Sequence, residues 1–148
     1  MLIPHVVQTE ADKVYVNIYN AQAVSVTDGD TVVWDISSPD GVRTSQPATA
    51  TLGLFVGLVD STIAASAYGL AQAYGYKSSG NISTDTDTGT AGDILTCAAA
   101  VDYLVIAAAT GATTYLAAAT AGAGWVYVAE NTTVTITNAA LKVFVRAM

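Results

Sequence analysis

Hydrophobic and polar positions alternate along much of this chain. KVYVNIY (Lys13 to Tyr19) sets Val14, Val16 and Ile18 on one side and Tyr15, Asn17 and Tyr19 on the other. A period of two sends successive side chains to opposite faces of a strand. TVVWDI (Thr31 to Ile36) places Val32, Trp34 and Ile36 on a shared face, after the turn signal Thr27-Asp28-Gly29-Asp30. These two runs are expected to pair as a hairpin. Near the C-terminus WVYVAE (Trp125 to Glu130) alternates again. TVTIT (Thr133 to Thr137) turns Val134 and Ile136 inward. LKVFVRAM sets Leu141, Val143 and Val145 against Lys142, Phe144 and Arg146. ILTCAAAV (Ile94 to Val101) reads as a strand or a short helix, and Asp102 to Ala108 as a strand.

The segment GLFVGLVDSTIAASAYGLAQAYGY (Gly53 to Tyr76) carries one charge, Asp60. Leu54 to Val59 is a continuous apolar run suited to a buried strand, ended by Asp60-Ser61-Thr62. From Tyr68 large and small residues alternate: Tyr68, Leu70, Gln72, Tyr74 and Tyr76 against Gly69, Ala71, Ala73 and Gly75. A helix would scatter the large groups all round, and its glycines would each cost about 1 kcal/mol. The pattern predicts a strand with one bulky and one nearly bare face, the bare face admitting a close neighbour. Ser37 to Gly41 and Gln46-Pro47 are breaks. KSSGNISTDTDTGTAGD (Lys77 to Asp93) is the longest polar stretch and is expected to be an exposed loop. Many short segments with frequent turns predict one all-β domain over residues 1–148, a sandwich or small barrel of short antiparallel strands.

Composition sharpens this reading. Valine, threonine and eight tyrosines favour strands. Charged residues make up only 11%, against about 25% in ordinary soluble domains, so partners are expected to cover part of the surface. The net charge is −7, and the five cations are scattered rather than clustered. Nucleic-acid binding therefore has no support. The uncharged stretch Tyr103 to Ala129 is long enough to span a membrane. Its threonines and glycines and its acidic flanks, Asp102 and Glu130, argue against that. The N-terminus lacks the basic start of a targeting signal.

Candidate chemistry is sparse. His5 is the only histidine and Cys97 the only cysteine, so neither a zinc site nor an internal disulfide is expected. Cys97 reads as a buried thiol. Asp28, Asp30, Asp85, Asp87 and Asp93 could face calcium but lack EF-hand spacing, and solvated loop carboxylates are the simpler reading. The sequons at Asn81 and Asn131 read as chance matches. No nucleotide motif is present. No catalytic residue, metal or cofactor is expected.

Gly53 to Asp60, then Ala67 to Tyr76, then Gly92-Asp93-Ile94-Leu95 form a series of small residues and aromatics. It resembles the small β-rich decoration or cement proteins of tailed-phage heads, over roughly residues 50 to 100. The resemblance implies a non-enzymatic virion protein, made in the host cytoplasm. Such a protein sits on the outer capsid surface, bound to the major capsid protein and to itself, as a trimer ahead of a dimer. Tyr68, Gly69, Ala71, Ala73, Tyr74, Gly75 and Tyr76 are the candidate packing and interface residues. The alternative is a glycan- or receptor-binding β-sandwich module on a virion or cell surface. Its stacking platform would combine Tyr68, Tyr74 and Tyr76 with Trp34 and Trp125.

Overall fold

The computed structural model describes residues 13–38, 40–84, 88–106 and 126–147. His5, Asp85, Asp87, Trp125 and the middle of the Tyr103 to Ala129 stretch lie outside the described residues. The alternating segments form strands, as their period requires. In chain order these are β1 (Val14–Asn20), β2 (Thr31–Trp34), β3 (Arg43–Ser45), β4 (Phe55–Val59), β5 (Tyr68–Ser83), β6 (Ile94–Cys97), β7 (Leu104–Ile106), β8 (Val126–Val128) and β9 (Ala139–Arg146). One 3-10 turn, Leu52–Leu54, precedes β4. Among the described residues no helix is long and apolar enough to cross a membrane.

The expected β1–β2 hairpin does not form. β1 lies between β3 and β5, while β2 pairs with β3 and β4. All nine strands of the described residues belong to one sheet in the order β1-β3-β2-β4-β5-β7-β6-β8-β9, with two further pairings, β1–β5 and β5–β9. Those pairings close the sheet twice. β1 to β5 make one ring of five strands, β5 to β9 make another, and β5 belongs to both. This closure explains why the strands are not all antiparallel, as the sequence reading expected. Each antiparallel pairing reverses direction, and a circuit must return to its starting direction. A ring with an odd number of strands therefore needs a parallel pair. The first ring supplies it as β1–β3 and the second as β5–β7. Each parallel pair is joined through an intervening strand, the long crossover such pairs require. β1 and β9 flank the middle of β5, where Val14 and Arg146 are both paired with Tyr74.

The second ring repeats the first. Replacing β1-β3-β2-β4-β5 by β5-β7-β6-β8-β9 reproduces every pairing and every direction. A matching turn opens the second strand of each ring. Thr27-Asp28-Gly29-Asp30 enters β2, and Thr90-Ala91-Gly92-Asp93 enters β6. In both, the aspartate carboxylate accepts from the threonine N–H, at 2.6 Å for Asp30 and 2.7 Å for Asp93. In both, the glycine sits at positive φ, +86° and +96°. The glycine N–H donates to the last residue of the neighbouring strand, Val59 at 2.9 Å and Val128 at 2.8 Å. That valine's N–H returns a bond to the aspartate carbonyl, at 2.9 Å in each case.

Two apolar clusters result. Leu58, Ile82, Leu95, Leu104, Val143 and Val145 anchor one; Ile18, Val32, Val56, Val59 and Ala71 anchor the other. β2 and β4 serve both. Val33, Phe55 and Leu58 enter the first cluster, and Val32, Val56 and Val59 the second. A strand buried on both faces has no polar side to alternate with, which is why FVGLV is apolar throughout. Gly57 within it lets β4 approach β5: a Cβ there would overlap the Gln72 carbonyl oxygen.

Two local expectations are corrected. Lys77 to Ser83 is not loop but the second half of β5; Thr84 and residues 88–93 lie outside any strand, and positions 85–87 lie outside the described residues. Val134 does not face inward. It lies outside any strand and is 62% exposed, while Ile136 packs at the edge of the first cluster.

Candidate interaction surface

β5 carries the two faces its sequence describes. Ala71, Ala73 and Gly75 are buried. Gly69 lies against Ile63, whose side chain occupies the space a Cβ would need. A bulge at Ala73 and a φ of +101° at Gly75 bend the strand where it passes from one ring to the other. Tyr68 and Leu70 project outward, 65% and 44% exposed, and Tyr74 and Tyr76 are half-buried. Gln72 departs from its parity. It is buried, and its amide donates to the Tyr74 and Tyr76 carbonyls at 3.2 and 3.1 Å.

Cross-strand partners share a face, so the register extends this surface in rows. Tyr68 is opposite Tyr19, which is opposite Arg43. The Tyr19 and Tyr68 rings meet edge to face at 5.0 Å, and the Arg43 guanidinium lies 5.3 Å from the Tyr19 ring centre. Leu70 is opposite Asn17, and exposed Tyr15 stands two residues further along β1. In the second ring Tyr76, Phe144, Tyr127 and Ile94 form one row across β5, β9, β8 and β6. Tyr74 meets Phe144 edge to face at 5.3 Å and is paired with Arg146. Of the eight tyrosines, Tyr15, Tyr19 and Tyr68 therefore share an outer face of the first ring, and Tyr74, Tyr76 and Tyr127 an outer face of the second; the bulge at Ala73 separates the two, because Tyr74 is opposite Val14 and not Tyr15. Alternation placed each on an outer parity. The sequence held no signal joining β1, β8 and β9 to β5, so Tyr15, Tyr19, Tyr127, Phe144 and Arg146 were missed as a group. Trp34 joins neither face. It packs against the second apolar cluster.

A polar cluster sits behind β5. The Lys77 ammonium is 6% exposed, 2.7 Å from Asp28 and 3.8 Å from Asp60. Ser79 donates to Asp28 at 2.7 Å, and the Asn81 amide to Asp30 at 2.8 Å. Partial burial alone would raise the Asp28 carboxyl. Hydrogen bonds from Lys77 and Ser79, with the Lys77 charge, outweigh it and hold the carboxyl below its usual range. These bonds clamp the Thr27–Asp30 turn onto β5, where Gly29 lies so close to Ser79 that a Cβ would overlap its carbonyl oxygen. Each polar group faces a protein partner, so the cluster is built to hold the fold together. On the outer side, Lys142 bonds Glu130 at 2.9 Å. That bond, then the nearby charges of Glu130 and Tyr76, raises the Lys142 ammonium above its usual value.

Cys97 is buried, and burial pushes its thiol up to about 12. It stays protonated at neutral pH and is no nucleophile. Among the described residues no group of three or more His, Cys, Asp or Glu side chains could hold a metal ion. What the arrangement offers is contact: aromatic area with hydroxyl donors, edged by guanidinium groups. The chain matches no protein-family model and no curated protein.

Proposed function

We propose that this chain is a non-enzymatic structural protein of a virion, seated on the outer surface of a phage head, which it stabilises through its tyrosine-bearing faces. The observation that carries the reading is the gathering of most tyrosines on two outer faces, one on each ring, with Arg43 beside the first and Phe144 and Arg146 in the second. Tyrosine and arginine dominate the residues that hold protein interfaces together. A rigid sheet presents them without ordering a loop on binding, which lowers the entropic cost. The inert Cys97 thiol and the internally satisfied Lys77 cluster leave these faces as the feature that internal packing does not explain. The resemblance of residues 50 to 100 to head decoration proteins supplies the partner, the major capsid protein, with self-association as a homo-oligomer.

Mixing purified protein with phage heads assembled without it, followed by sedimentation, tests the proposal. Cosedimentation at a fixed stoichiometry is expected. Tyr68→Ala and Leu70→Asp, both at exposed positions, should weaken it without changing the far-ultraviolet circular dichroism. Failure to bind heads, together with retention on a glycan array, would replace this reading with the glycan-binding module.

A further inference from the structure

On the aromatic face of the second ring one cation stands without a partner among the described residues. Lys142 lies 2.9 Å from Glu130. Arg146 is exposed there, yet it has no ion-pair partner among the described residues. It stands beside Tyr74, its cross-strand partner, and follows Phe144 on the outer parity of β9. The chain as a whole carries −7, so this uncompensated positive charge occurs on an acidic molecule and among its aromatic side chains.

We infer that this aromatic face receives an acidic patch of a partner protein, which presents a carboxylate to Arg146. The inference rests on the reading that this face is the docking surface. Anything covering the face removes Arg146 from water. Apolar cover alone would leave a buried unpaired charge, which is strongly unfavourable. A carboxylate matches the planar guanidinium fork with two parallel hydrogen bonds. The surrounding rings exclude water and strengthen that pair, the arrangement in which an arginine becomes a dominant contact. A nucleic-acid phosphate would fit the same fork, but an acidic chain repels a polyanion.

The test uses heads assembled without this protein, with wild type and three variants, each checked for an unchanged circular dichroism spectrum. Arg146→Ala should weaken binding about tenfold or more, and Arg146→Glu should weaken it further. Arg146→Lys should retain part of the affinity, because an ammonium keeps the charge but loses the fork. A carbodiimide couples amines to carboxylates in contact, so treating Arg146→Lys bound to heads should yield an amide cross-link from position 146 to an Asp or Glu of the shell protein. Wild-type affinity in Arg146→Ala and Arg146→Glu, or cross-links only elsewhere, would overturn the inference while leaving the docking reading intact. Absence of wild-type binding would overturn both.

Discussion

Ala71 shows how little freedom the interior of β5 allows. Ala71 is fully buried between β1 and β4. Ala71→Leu is expected to cost about 1–3 kcal/mol by overpacking, read from the urea midpoint at unchanged slope. Asp28 gives the acid response. Its carboxyl is held below its ordinary value of 3.8, so the unfolded chain binds the proton more readily. The stability it contributes is complete above 3.8 and is lost as the pH falls through the lower folded value. Urea titrations from about pH 6 to about pH 3 should show a shallower loss for Asp28→Asn than for wild type. Equal slopes would remove Asp28 from the acid response.

At the scale of elements, the repeated turn offers an internal comparison. Gly29 and Gly92 both need positive φ, so alanine at either should cost about 1–2 kcal/mol. Gly92 faces open space, whereas a Cβ at Gly29 would strike the Ser79 carbonyl. Gly29→Ala should therefore lower the melting temperature clearly more than Gly92→Ala; equal shifts would refute the docked turn. The strands themselves were largely legible. β1, β9 and the start of β5 follow from alternation, and β4 from an apolar run that alternation cannot produce. The second half of β5 was not legible, because Lys77, Ser79 and Asn81 read as solvent-facing polar residues. Their partners, Asp28 and Asp30, lie some fifty positions upstream, and composition carries no record of such pairing. The hairpin expectation failed for a related reason. Period two names the faces of β1 but not its neighbours, and ring closure gave β1 to β5. The candidate residues on β5 were readable as two faces, while the rest of the tyrosine surface depends on register across strands distant in sequence.

For the whole molecule, the shared strand predicts one unfolding unit. Leu95→Ala in the first apolar cluster and Ile18→Ala in the second should each cost about 2–5 kcal/mol. Because β2, β4 and β5 contribute to both rings or both clusters, calorimetry should show a single transition that both variants shift. Two separable transitions would mean that the rings melt independently. The strand map also decides which strand ends can be joined. Val14, at the head of β1, and Arg146, at the foot of β9, flank Tyr74 on opposite sides, so they stand about 10 Å apart, two strand spacings. A short peptide linker between those two positions would bridge that gap, so a chain in which β1 and β9 are joined directly, with new ends opened at the exposed Ala99-Ala100 turn, should keep both rings closed.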